Sequence, residues 1–477
     1  MKLKNILAMQ FLFMLITGLA YLLDSVFGTT TGIVSMALIA GGQWNENLTV
    51  FRKNLEMKVG KEVWWRGKLG RFTAFIDYQL YKETGSLGTR KGSPKLTQSI
   101  IHMVNDFKST KRGVKIDIPL KRPLTGSGRI GVAGLSGHGE SQKIFYRKCA
   151  INMMRHAFNE RDNEMSDQVL PDQIMKELKD GAGELKDWFS RLIPFEFLFA
   201  ALTGYSRNLH DTSYGVGYSM RSHPNIYVQS DGQVLFKSSA GTHVAYTFDS
   251  GYEKNVATAL GTLTDTPSDY FSSQSIRNMV ALARGHKIQP IEYQGQEVFL
   301  IFITSAQIRQ LRQDEDWLKA QHYAAMRGKD NQIFTGLMEG YIYEGALLIV
   351  DDTIPGTRIS TSSDFDSTYA LSTTGDVYGV QYYPSNFMEI PYDTSPLKPA
   401  ILLGQGAILG AEGAGFKFTQ EISDHGQQIE DGGRMIYGAT RADIIDDDNF
   451  LGNGANTFYD NSSSLVYYTY SPTTITI

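Results

Sequence analysis

Two motifs in this chain carry residue types from which a chemical site is built, and both lie in one glycine-rich stretch. GSGRIG, Gly126 to Gly131, satisfies G-x-G-x-x-G. In a dinucleotide site such glycines let the backbone approach a pyrophosphate held at the N-terminus of a helix that follows at once. Gly134, Gly137 and Gly139 follow here instead, and glycine disfavours a helix. The stretch therefore reads as a flexible loop. GLSGHG next sets Ser136 close to His138, but without the G-x-S-x-G spacing and the sharp strand-to-helix turn that exposes a nucleophile.

The remaining candidates are weaker. No two of the nine histidines stand at H-x-x-x-H spacing, which a helix needs to present both rings to one metal. Asp446–Asp448 with Asn449 lacks the glycine and the closing glutamate of a calcium loop, so it reads as an acidic turn. Cys149 sits in a strand pattern as a small apolar residue. Tyr341, Tyr343, Tyr378, Tyr382 and Tyr383 could stack on sugars, but tyrosines scattered over strands are ordinary packing. No catalytic set, cofactor site or metal site is expected.

Composition narrows the field further. The chain has 477 residues, 42% hydrophobic and 20% charged, enough for a large core and incompatible with wholesale disorder. Lys and Arg total 46 against 50 Asp and Glu, a net charge of −4, so there is no overall basic field to displace phosphate counterions. A single cysteine forbids an internal disulfide and any multi-cysteine metal site. With 47 glycines and only 14 prolines, turns and strands are expected rather than a helical array.

The elements that would position these residues follow from periodicity. Asn5–Leu23 is uncharged and follows Lys2 and Lys4. It reads as a membrane span of roughly 20 residues, a signal sequence, or an arm buried against a neighbouring subunit. In VKIDIPL, Val114, Ile116, Ile118 and Leu120 alternate with other residues at the period of a half-buried strand. A second strand run, KIFYRKCAIN, covers Lys143–Asn152. Between them lie 22 residues with six glycines, too long for a hairpin turn and typical of a reaching or binding loop. Each leg, about 11 residues, can extend roughly 35 Å.

Pro171 then suits the first turn of a helix. Ile174, Leu178, Leu185, Trp188, Phe189 and Leu192 keep one apolar stripe in phase across Gly181 and Gly183, which predicts one long helix. Pro194 is expected to interrupt it, with FEFLFAALTG resuming as a buried helix to Gly204. VQSDGQVLFK reads as a hairpin turning at Asp231-Gly232. EVFLIFIT is a buried strand, Ser305 caps the helix after it, and Ile308, Leu311, Trp317, Leu318 and His322 form that helix's stripe. ALLIVDD, FKFTQEIS and RMIYGATRADI are further strands, KPAILLGQGAILGAEGAG is a small-residue segment, and the tail after Asp446 is acidic, then β-prone.

Several of these blocks resemble one family. VKIDIPLKRPLTGSGRIGVAGLSGHGE, FYRKCAINMMRHAF and ELKDWFSRLIPFEFLFAALTG are similar to the strand, glycine loop, strand and helix of major capsid proteins of tailed bacteriophages of the N-four type. The segment ITSAQIRQLRQDEDWLKAQHYAAMRGKDNQIFTGLMEGYIYEGALLIVDDTIP resembles that family's helix–turn–strand block. KPAILLGQGAILGAEG, FKFTQEISDHG and MIYGATRADI resemble its C-terminal end. The likeness covers Lys111–Tyr205 and Phe299–Asp443, about half the chain.

The resemblance implies an α+β chain with the HK-ninety-seven-like (Johnson) capsid fold. Residues 1–48 would be an apolar N-terminal arm, 49–110 the arm and start of the peripheral domain, 111–152 the extended loop hairpin and 153–206 the peripheral domain's spine helix. Residues 207–297 would be a family-variable insertion or axial region, 298–397 the axial domain, 398–445 the return to peripheral strands and 446–477 a C-terminal tail. Gly126, Gly128, Arg129, Gly131, Gly134, Gly137 and Gly139 would form the loop lying on the next subunit. Lys121 and Arg122 at its base either pair with acidic neighbours or stay solvated.

The function implied is non-enzymatic. Hexamers and pentamers of the chain would close an icosahedral head around double-stranded DNA, held without sequence-specific binding, with portal, scaffold and decoration proteins as further partners. Assembly would take place in the host cytoplasm, and neither a cofactor nor a small-molecule substrate is implied. The rival reading, from the apolar start and the Tyr/Ser/Gly-rich middle, is a secreted or membrane-tethered β-rich surface protein or hydrolase. A nucleotide-binding enzyme would rest on GSGRIG alone.

Overall fold

The computed structural model describes residues 100–104, 115–121, 130, 144–160, 171–209, 223–229, 256, 259–293, 296–326, 341–360, 379–382, 396–423, 428–445 and 459–472. The apolar start, the loop glycines, Arg122, Arg129, Ser136, His138, Asp231-Gly232, Asp446–Asp448, Tyr378 and Tyr383 lie outside the described residues.

The first strands are β1 (Ile101–Val104), β2 (Lys115–Lys121), β3 (Ile144–Ala150) and β4 (Asn152–Glu160), followed by helix α1 (Pro171–Thr203). Next come β5 (Ile226–Val228), α2 (Ser273–Gly285), β6 (Ile291–Tyr293), β7 (Gln296–Ile303), α3 (Ser305–Leu311) and α4 (Glu315–Met326). The chain continues through β8 (Tyr341–Tyr343), β9 (Ala346–Val350), β10 (Thr357–Ser360), β11 (Gly379–Tyr382) and β12 (Leu397–Leu403). The last strands are β13 (Ile408–Ser423), β14 (Gln428–Arg441), β15 (Ile444–Ile445), β16 (Tyr459–Asp460) and β17 (Ser464–Tyr470). Helices and mostly antiparallel strands together make an α+β chain.

Two sheets organise the described residues. One has the order β1-β13-β14-β4, and α1 lies on one of its faces. The other runs β11-β10-β12-β7-β9-β8, with β17 beside β12, β5 beside β17 and β6 beside β7. Alternate residues of this sheet enter different cores. Leu300, Phe302, Ile401, Leu403, Val466 and Tyr468 join the core shared with α1, whereas Phe299, Ile301, Ala400, Leu402, Leu465 and Tyr467 face α2–α4. A strand buried on both faces loses its polar alternation, which is why EVFLIFIT is an unbroken apolar run. The β-prone tail supplies β17, paired with β12 from Leu397↔Tyr470 to Leu403↔Ser464.

Helix α1 begins at Pro171 and runs unbroken through Gly181 and Gly183. Pro194 does not interrupt it, contrary to the sequence expectation. A proline inside a helix costs about 3 kcal/mol through its missing N–H and a steric clash. Here every residue from Leu192 to Ser206 is buried, and enclosing Phe195, Phe197, Leu198 and Phe199 outweighs that cost at roughly 1.5–3 kcal/mol for each large apolar side chain.

Four local expectations change as well. KIFYRKCAIN is not one strand: it breaks at Ile151, where β3, paired with β2, gives way to β4, paired with β14. Thr304 rather than Ser305 caps α3, accepting from the Gln307 backbone N–H while Gln307 reaches back to the Thr304 N–H. The stripe after it divides between α3 and α4, so Trp317 is buried while Leu318 is 41% exposed. The small-residue segment supplies β12 and the first half of β13, and FKFTQEIS is the second half of that same long strand.

Candidate functional site

The hairpin β2–β3 holds the glycine-rich connection by both ends. Its register runs from Lys115↔Ala150 to Lys121↔Ile144, so residues 122–143 leave from a closed antiparallel pair. Lys121 is the last paired residue of β2. Ile130, the one described residue of the connection, is 97% exposed. At the base, Ile118, Leu120 and Cys149 pack with Leu409 and Ala411 of β13. Burial pushes the Cys149 thiol up to about 12, against the opposing influence of Thr440 and Arg147.

Beside that apolar contact lies a buried polar junction that ties the hairpin to the end of α1. Gly204 adopts φ +93°, the left-handed conformation that ends many helices without steric penalty. Arg441, at the end of β14, donates from Nη1 to the carbonyl oxygens of Ala201 (3.0 Å) and Leu202 (2.8 Å). Its Nε donates to Asp443 Oδ1 at 2.7 Å. Arg147 of β3 donates from Nε to the Arg441 carbonyl oxygen at 3.1 Å and from Nη2 to that of Gly204 at 3.4 Å. It also lies 3.7 Å from Asp443 Oδ2 and covers the Tyr205 ring at 4.4 Å. Asn461 Nδ2 donates to Asp443 Oδ1 at 2.9 Å.

Arg147, Arg441 and Asp443 are each at most 2% exposed. Two cations against one carboxylate would leave excess buried charge, but the carbonyls ending α1 carry the negative end of the helix dipole. Such a junction gives geometry rather than net stability, because desolvation offsets most of the attraction. A second polar group braces the same helix end. Glu196 accepts from the backbone N–H of Arg207 at 2.6 Å and from its Nε at 3.1 Å. Burial raises the Glu196 carboxyl, and the Arg207 charge opposes that rise.

The helix stripe divides by depth. Leu185, Phe189 and Leu192 are buried in the core, while Trp188 is partly buried and stacks on His156 with ring centroids 4.3 Å apart. Ile174 and Leu178 lie on the first turns of α1. Of the tyrosines, Tyr343 is buried against Trp317. Among the described residues no group of three or more His, Cys, Asp or Glu is placed to hold a metal ion, and no helix is long and apolar enough to cross a membrane.

Sequence reasoning missed Arg147, Arg441 and Asp443. The available signal was parity: Arg147 shares its strand face with Cys149, so an alternating strand with one apolar face must bury it. Nothing in the sequence pairs Arg147 with residues so far along the chain.

Several solved capsids are distantly similar to this chain. The capsid of Ralstonia phage GP4 is similar over 82% of this chain and 94% of its own, at 16% identity and a TM-score of 0.47. The Cyanophage Pam1 capsid gives 16% identity, 79% and 90% coverage and a TM-score of 0.48. The acid-stable capsid of Helicobacter pylori bacteriophage KHP30 gives 14%, 80%, 93% and 0.48. No curated protein matches the sequence. These likenesses are distant, and membership is decided by a family model, described as phage capsid protein, that matches residues 78–463. Covering well over half of the sequence, that match shows that the chain belongs to the phage capsid protein family.

Proposed function

We propose that this chain is the repeating subunit of an icosahedral head shell of HK-ninety-seven-like layout, with residues 122–143 reaching onto the next subunit and α1 as the spine helix. Membership in the phage capsid family supports the reading. The observation that carries it is the hairpin itself: a base fixed in a buried junction, continuing into a long glycine-rich connection where Ile130 is 97% exposed. An arm of this length cannot bury itself against its own subunit's core, so it gains contact area on a sibling. Many weak contacts repeated around a closed shell add up through multivalency.

In this reading residues 298–397 form the axial domain, 398–445 return to the peripheral strands, and portal, scaffold and decoration proteins complete the head. No step of chemistry is assigned to the chain. Negative-stain micrographs of the expressed full-length protein test the proposal. Closed, uniform shells are expected. A chain that stays monomeric at high concentration, with its hairpin intact, overturns it.

A further inference from the structure

Three cations form a row across the sheet that carries α1. Arg434 of β14 stands directly opposite Arg155 of β4 on one side and Lys417 of β13 on the other. Directly opposed residues of antiparallel strands share a face, and three adjacent strands place the row within about 10 Å. The face is the one turned away from α1. Phe416, Phe418, Met435 and Met154 enter the core with the helix, and each cation occupies the opposite parity of its strand. Arg155, Lys417 and Arg434 are exposed, and none has an ion-pair partner among the described residues.

The row has no local explanation. Like charges placed directly opposite one another weaken a sheet, so the isolated subunit gains nothing from it. The next positions on this face are Thr419, Gly432 and Ala157, small residues that leave the surface flat and open. Met153, 37% exposed, and the partly buried Ile436 border the other end. They fall short of the apolar centre that a protein partner requires.

We propose that Arg155, Arg434 and Lys417 bind the phosphate backbone of double-stranded DNA without reading its sequence, and that this sheet face is therefore turned to the packaged genome. This rests on the capsid reading above. Guanidinium groups match phosphate oxygens in two-point contacts, whereas reading bases requires an element that enters a groove, and a flat strand surface supplies none. Three contacts per subunit are few, consistent with a chain whose net charge is −4.

The test uses full-length subunits and a labelled 30-base-pair duplex of random sequence, with binding followed by fluorescence anisotropy over a range of NaCl concentrations. Neutralising three phosphate contacts contributes about 2.7 to the slope of log K against log salt. The triple variant Arg155→Gln, Lys417→Gln, Arg434→Gln is expected to lose a slope of about that size while its melting temperature does not fall. An unchanged slope overturns the proposal. So does a variant that loses affinity for polyglutamate but not for DNA, which assigns the face to an acidic protein. Binding of added duplex to the outside of intact empty shells overturns the genome-facing orientation. If the parent forms no shells at all, the capsid reading fails by its own test, and the DNA slope still decides whether the row contacts phosphate.

Discussion

Arg147 and Arg441 are joined through a backbone group, Arg147 Nε donating to the Arg441 carbonyl oxygen at 3.1 Å. Both side chains then turn to Asp443 and to the carbonyls at the end of α1. Through this contact the loop hairpin, the long helix and the last strand of the sheet share one fixed point. If residues 122–143 dock on a neighbour as proposed, an anchored base removes beforehand part of the entropy that a freely swinging hairpin would lose.

Substituting Arg147→Met is expected to destabilise the subunit by about 3–5 kcal/mol, the usual consequence of removing one partner from a buried charge cluster. Arg147→Lys keeps a charge but loses the Nε donor and the planar contact with Tyr205, so it should recover only part of the loss. Urea unfolding of the three proteins gives the ordering. Equal stability for wild type and the methionine variant would mean the cluster holds nothing in place.

Gly438 tests the point where β3 passes to β4. A Cβ added there would lie 2.0 Å from the Ala150 carbonyl oxygen, a backbone atom with little freedom to yield. Gly438→Ala should therefore cost on the order of 3 kcal/mol. Gly183→Ala meets no atom within 4 Å and should be neutral or slightly stabilising, because alanine favours a helix. Thermal unfolding of both variants separates close approach from a general intolerance of substitution.

These contrasts also mark what the sequence could show. The VKIDIPL strand and the Leu185–Phe189–Leu192 stripe were legible because each repeats at the period of its own element. Pro194 misled because enclosure of the last turns of α1, a tertiary effect, overrides a local cost. The break at Ile151 was invisible because it reflects a change of partner strand, and the run itself stays strand-like throughout. The Arg147–Asp443 contact and the Arg155–Arg434–Lys417 row depend on register between distant segments, which periodicity does not encode.

His223 should make stability fall in mild acid. Its Nδ1 accepts from the Asn225 backbone N–H at 2.9 Å, its Nε2 lies 2.8 Å from Ser464 Oγ, and it is fully buried. Burial first, then the charges of Arg441 and His286, hold its pKa well below 6.5. With the folded value lowered, the folded state binds fewer protons than the unfolded chain. The stability is present above about pH 6.5 and declines as the pH falls below it. His223→Gln should show a smaller drop in melting temperature between pH 7 and pH 5. An identical drop in both proteins would remove His223 from the account.

Cys149 offers a probe of the hairpin base. With its thiol buried and raised to about 12, almost no thiolate exists at neutral pH, and thiolate is the reactive form. Alkylation by iodoacetamide should proceed only through opening of the hairpin from β13, and Arg147→Met should accelerate it. Reaction in the native protein at the rate of an unfolded control would show that the base is not closed.

Removing Gly126–Gly139 separates folding from assembly. The connection lies beyond the last registered pair, Lys121↔Ile144, so its loss leaves the paired strands, the Leu409 contact and the Arg147 junction in place. Shortening a loop also lowers its closure entropy slightly, so the melting temperature of the isolated subunit should be unchanged or a little higher. Sedimentation and negative-stain microscopy should nevertheless find subunits and small oligomers without closed shells. Were normal heads still to form, the contacts that close the shell would have to lie elsewhere on the subunit, and the glycine-rich connection would no longer explain assembly.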